Sequence, residues 1–199
     1  MRRRYKKSTL DKISRDIMII SSLFLVFVIL GSLLNKFFPQ YTDVVIKKLN
    51  YTNNYYNCGI DIKKILISNL KIDFLLLISI VICTLTIILA PLGLVILGFK
   101  GISIGYIINS LTIGFKGNAI KLIILTLIKF SIILPGMIIL LLISFKYLME
   151  FLKNINKNNK INCTYLIKRY IINSFLIIIF SLSGQTILNA IYTMSLKLF

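Results

Sequence analysis

The sequence predicts an all-α polytopic membrane protein with about five hydrophobic helices and a cytoplasmic N-terminus. First, 57% of the residues are hydrophobic and 15% are charged, whereas a soluble domain carries about 25% charged residues. Second, five apolar segments approach the ~20 residues that a helix needs to cross a bilayer core. Third, basic residues crowd the first sixteen positions, which favours a cytoplasmic N-terminus.

The first predicted helix covers residues 17–38 and follows the basic N-terminus, residues 1–16. Its apolar stretch is longer than the core of a signal peptide, and no small-x-small cleavage site follows it. Lys36 and Pro39 follow instead. We therefore expect a retained first membrane helix.

The second predicted helix covers residues 74–99, and the third covers residues 101–115, with Lys100 between them as a cytoplasmic charge. Pro91 removes a backbone hydrogen bond and predicts a kink near Ala90. The third segment would rise only about 22 Å, which suits a thin span, a tilted continuation or a re-entrant segment.

The fourth predicted helix covers residues 122–145 and contains Lys129 and Pro135, so a kink is expected there as well. The fifth covers residues 171–194. We predict that residues 17–199 form a single membrane domain. Two long polar connections join its helices.

The outside connection is residues 39–73, and the cytoplasmic connection is residues 146–170. Within the first, the apolar pattern of residues 59–73 predicts an interfacial amphipathic helix that leads into the second span. The distribution of Lys and Arg favours an outside C-terminus.

The formal net charge of +18 is divided among connections on both faces. A nucleic-acid-binding protein would concentrate its charge in one footprint. Basic segments beside a membrane attract anionic lipid, which we expect as a partner in place of nucleic acid.

The composition weakens most enzymatic hypotheses. The chain has no histidine, and its three cysteines stand far apart without a metal-ligand spacing. The six acidic residues fall outside the predicted apolar runs, which predicts no intramembrane carboxylate. We therefore expect neither an enzyme nor a cofactor.

Lys129 is the one charge well inside a predicted apolar run, about 10 Å from the outer end of the fourth segment. It could snorkel to the surface, or it could face a polar cavity near Asp73. Gln185 and Asn189 share one face of the fifth helix at i and i+4. Such groups bond neighbouring helices, although a transport pathway would use them too.

Residues 101–105 fit two patterns, G-x-S-x-G and G-x-x-x-G. The first marks a nucleophile elbow and needs a histidine base, so only a Ser103 dyad with Lys129 or Lys100 would remain. The second permits close helix contact and is the interpretation we prefer. The residues expected to shape the packing are Pro91, Gly98, Lys100, Gly101, Gly105, Gly117 and Pro135.

Three stretches in order resemble the stage II sporulation protein M family. They are Ser68-Asn69-Leu70-Lys71 before an apolar run, the Lys-Gly-x-x-x-Gly stretch within residues 98–106, and the glycine turn at residues 114–117. Where that family often has Pro-polar-Asn before Pro-Ala, this chain has Ile128-Lys129-Phe130 before Pro135-Gly136.

The resemblance implies a role in engulfment during endospore formation, at the asymmetric septum. There the chain would anchor two wall-cleaving partners, the stage II sporulation proteins D and P, without cutting peptidoglycan itself. The alternative is a membrane-spanning permease subunit of a transporter, motivated by the interrupted helices and their polar groups. Formation of a homo-oligomer is left open.

Overall fold

The computed structural model describes residues 9–53, 62–86, 89–115, 117, 119–156 and 163–196, and their regular structure is helical throughout. A single turn of 3₁₀-helix, Pro39–Tyr41, follows the first helix. The helices are α1 Thr9–Phe37, α2 Thr42–Asn53, α3 Ile62–Leu85, α4 Leu92–Gly114, α5 Ala119–Phe130, α6 Ile133–Asn156 and α7 Cys163–Leu196.

Five stretches of the described chain are long and apolar enough to cross a membrane, which confirms the predicted class and the number of spans. They are Ser14–Phe37, Leu66–Leu85, Leu92–Gly114, Ala119–Asn154 and Thr164–Ser195. The fourth stretch comprises both α5 and α6, whereas α2 is too short and too polar to count as a span.

The boundary predicted between the second and third helices is wrong. Helix α3 ends at Leu85, and α4 begins at Leu92 and runs without a break through Lys100. Pro91 stands at the N-cap of α4, where its missing N–H costs nothing. Both helices are consequently of full span length, and Lys100 lies inside α4 rather than in a cytoplasmic connection.

The fourth segment is also interrupted, between Phe130 and Ile133. Pro135 cannot donate to the carbonyl of Ser131, and its ring would crowd that carbonyl in a continuous helix. The chain therefore restarts at Ile133, with Pro135 in the first turn of α6, where proline is tolerated. The N–H of Gly136 then bonds the Ile132 carbonyl at 3.2 Å.

The polar connections are more helical than predicted. Helix α1 begins at Thr9, within the predicted N-terminal tail, whose residues 1–8 lie outside the described part. The predicted outside loop contains α2 and the start of α3, so the expected interfacial helix is the first part of a membrane helix. Residues 146–170 belong largely to α6 and α7.

The apolar core lies between α3, α4 and α6, with contributions from α1 and α7. Its fully enclosed side chains include Leu77, Leu97 and Met137. The outward faces of the same helices carry exposed Leu, Ile and Phe residues, as a lipid-facing surface requires. This arrangement places several polar side chains inside the bundle.

Candidate functional site

An ion pair joins α3 to α4 inside the bundle. The Lys100 Nζ lies 3.0 Å from Asp73 Oδ1, and the two side chains are only 11% and 5% exposed. Counted along their helices, both residues lie within about 5 Å of the middle of their spans. The pair is therefore an intramembrane pair, close to the midplane.

This pair corrects two sequence-based expectations. Asp73 is an intramembrane carboxylate, because α3 begins before the apolar run that starts at Phe74. Its ion-pair partner is Lys100, which was expected in a cytoplasmic connection. A single unpaired charge at this depth would cost several kcal/mol, so the pairing is what makes both residues tolerable.

Phe130 connects the ion pair to the second lysine. The Lys100 ammonium lies 4.8 Å from the Phe130 ring centroid, and the Lys129 ammonium lies 5.7 Å from the same centroid. Lys129 also lies 4.9 Å from the centroid of Tyr192. Aromatic faces attract cations most strongly where water is excluded. The buried Phe130 ring thus lies close to both ammonium groups.

Gln185 and Asn189 face the same region from α7, and both are fully buried. The Gln185 Nε2 donates to the Lys129 carbonyl at 2.9 Å. That carbonyl lies in the last turn of α5, where the helical interruption removes its intrahelical donor. Gln185 therefore caps the broken helix.

Three amide atoms in this region have no hydrogen-bond partner among the described residues. They are Gln185 Oε1 and both Nδ2 and Oδ1 of Asn189. Buried polar groups are normally paired, so each exception calls for an explanation. We call the set Asp73, Lys100, Lys129, Gln185 and Asn189 the intramembrane polar cluster.

Glycines bring α1 and α4 into backbone contact. A Cβ on Gly105 would collide with the Val28 carbonyl, and one on Gly31 would collide with the Ile102 carbonyl. Gly98 and Gly101 lie against the rings of Phe27 and Phe24. The G-x-x-x-G pair therefore lies at a helix interface, and its partner glycine on α1 was missed by sequence reasoning.

A second polar network joins the C-terminal ends of α1 and α4 to the start of α2. Asn35 Nδ2 donates to Ser110 Oγ at 2.6 Å, and Thr42 Oγ1 donates to Asn35 Oδ1 at 3.1 Å. Tyr106 OH donates to the Phe38 carbonyl at 2.6 Å, and Asn109 Nδ2 donates to the Ser32 carbonyl at 2.9 Å. Among the described residues, this network holds the start of α2 against α1 and α4.

The remaining sequence-predicted residues lie apart from the cluster. Pro91 and Pro135 are exposed at the starts of α4 and α6, and a Cβ on Gly117 would meet no atom within 4 Å. Ser103 is exposed on α4, whereas Lys100 is buried and bonded to Asp73. The described geometry therefore does not assemble a Ser–Lys dyad on Lys100.

No family model, curated protein or solved structure matches this chain. Two features of the bundle bear on function: the backbone contact between α1 and α4, and the charges enclosed near the midplane.

Proposed function

We propose that this protein is a non-enzymatic membrane scaffold for septal peptidoglycan remodelling during engulfment in endospore formation. In this role it anchors the stage II sporulation proteins D and P at the asymmetric septum. These two partners are inferred from the three stretches, in order, that resemble the stage II sporulation protein M family. The geometry supplies a reason why such a chain would serve as an anchor.

The observation that carries the proposal is the fixed position of α2. Thr42 at its start is buried and bonded to Asn35, and Ile46 lies against Gly114 at the outer end of α4. The opposite side of α2 exposes Asp43, Val44 and Lys47. A short helix held in this way offers a defined docking surface without needing a core of its own.

Site-specific photo-crosslinking tests the docking surface. A photoreactive residue at Val44 or Lys47 is expected to form adducts with protein D or P in sporulating cells. The matched control is the same residue at Lys168, which is also exposed but belongs to the opposite end of the bundle, predicted to be cytoplasmic. Adducts from Lys168 as strong as those from α2, or none from either α2 position, would contradict the proposal.

The second candidate function is a permease subunit, and the intramembrane polar cluster favours it. Charged residues within spans commonly mark ion or substrate pathways. The unpaired amide atoms of Asn189 and Gln185 add hydrogen-bonding capacity beside them. Solute flux in vesicles that is abolished by the double variant Asp73→Leu with Lys100→Met, at normal protein level, would favour this alternative.

A further inference from the structure

A cleft opens between α6 and α7 at the ends that the basic residues assign to the cytoplasmic side. Its volume is about 200 Å³. Lys146 and Glu150 line it from α6, and Arg169 and Asn173 line it from α7. The stacked rings of Tyr147 and Tyr170, 4.7 Å apart, form its inner wall.

The depth of the cleft corresponds to the level of lipid head groups. Arg169 lies ten residues from the middle of the Thr164–Ser195 span, which is about 15 Å along the helix. That distance is half the thickness of a ~30 Å hydrocarbon core. A phosphate bound here would therefore sit at the boundary between the acyl chains and water.

The charge of the cleft suits a phosphate. Arg169 Nη2 bonds Glu150 Oε2 at 2.7 Å, and both side chains remain nearly half exposed. A guanidinium has five N–H donors, so this single contact leaves others available to a second anion. Lys146 is exposed beside it and gives the cleft a net positive charge.

An apolar surface continues from the cleft toward the membrane middle. Ile139 lies two helical turns below Lys146, and Leu176 and Phe180 lie two turns below Arg169 and Asn173. All three apolar side chains are exposed. A soluble phosphate compound would gain nothing from this surface, whereas acyl chains would cover it.

We propose that the cleft between α6 and α7 binds the phosphate of an anionic phospholipid, with Lys146 and Arg169 as its ligands. The acyl chains lie along Ile139, Leu176 and Phe180. Glu150 competes with the phosphate for Arg169 and so limits the affinity. This site does not depend on the proposed scaffold function.

Native mass spectrometry of the purified, delipidated protein tests the proposal. The probes are phosphatidylglycerol and phosphatidylcholine with identical acyl chains, and we expect tighter binding of phosphatidylglycerol. Lys146→Gln and Arg169→Gln should each weaken that binding about fivefold, the effect of one basic residue at a lipid surface. Glu150→Gln should strengthen it, because Arg169 loses its competing partner.

Lys168→Gln is the matched control, since Lys168 is exposed, neighbours Arg169 and does not line the cleft. Its binding should change less than twofold. An equal loss in this control, or equal binding of both lipids, would overturn the site. Competition by glycerol phosphate at the lipid's own concentration would overturn the choice of a lipid. If Arg169→Gln fails to fold, the test uses the other two variants. Phosphatidylglycerol should bind Lys146→Gln more weakly and Glu150→Gln more tightly than the wild-type protein.

Discussion

At the residue scale, Asp73 and Lys100 are tolerated inside the bundle because each neutralises the charge of the other. Asp73→Asn leaves the buried Lys100 without its counter-charge, and Lys100→Met leaves Asp73 in the same situation. We expect each single change to destabilise the protein by about 3 kcal/mol or more. The lost free energy of unfolding is measured in mixed detergent micelles, with gel filtration to monitor unfolding.

The double variant Asp73→Leu with Lys100→Met is the matched control for that prediction. It removes both charges together and should recover most of the lost stability, because apolar side chains replace a buried pair at little cost. If the double variant is as unstable as the two single variants combined, the residues act independently and the pairing is not what holds them.

Gln185 and Asn189 should respond differently to the same substitution. Gln185→Leu removes the donor to the Lys129 carbonyl and should cost about 1 kcal/mol. Asn189→Leu removes an amide with no described partner, so stability should stay equal or rise. Detergent unfolding measures both. A stable Asn189→Leu protein that fails to complement a deletion would instead assign the amide a functional role.

Individual residues were predicted unevenly from the sequence. Lys129, Gln185 and Asn189 stand out in the sequence because each is a polar side chain within an apolar run. Asp73 was expected outside the membrane because it directly precedes such a run, but the helix that contains it starts earlier. Its partner Lys100 was read as the boundary of a segment, since a sequence does not show that two charges on different helices meet.

At the element scale, the contact between α1 and α4 should tolerate no side chain at Gly105. Even Gly105→Ala places a Cβ against the Val28 carbonyl, which belongs to the backbone and cannot rotate away. Overpacking of this kind costs about 1–3 kcal/mol. We expect a lower melting temperature in detergent and less protein in the membrane.

Gly117→Ala is the control for this interface, because its new Cβ would meet open space. It should leave both the melting temperature and the protein level unchanged. Equal effects of the two substitutions would show that general loss of glycine, rather than the close approach of α1 and α4, determines the result.

The positions of the helix interruptions follow proline more closely than charge. Pro91 predicted a break near Ala90, and the structure ends α3 before it and begins α4 after it. Lys100 suggested a boundary that does not exist. The sequence could not distinguish a terminal lysine from one neutralised inside the bundle, because the neutralising carboxylate lies 27 residues away.

At the scale of the whole molecule, five crossings with a cytoplasmic N-terminus should place residues 54–61 outside and residues 157–162 inside. A membrane-impermeant maleimide applied to intact cells should label the native Cys58. In a cysteine-free background, Asn158→Cys should react only after the cells are permeabilised. The reverse labelling pattern would show that the bundle has the opposite orientation in the membrane, with the α6–α7 cleft in the outer leaflet.

The class and the number of spans were predictable because length and hydropathy are local properties of the chain. The fixed position of α2 was not, since it depends on Asn35, Thr42 and Tyr106 meeting from three separate elements. That position is the link between the fold and the proposed anchoring role.

The most direct test of that role is a deletion strain followed through sporulation with a membrane dye and a fluorescent wall label. We predict arrest after the asymmetric septum forms, with septal wall that is not thinned and membranes that do not migrate. Complementation by the wild-type gene should restore engulfment. Complete engulfment at the normal time in the deletion strain would contradict the scaffold proposal.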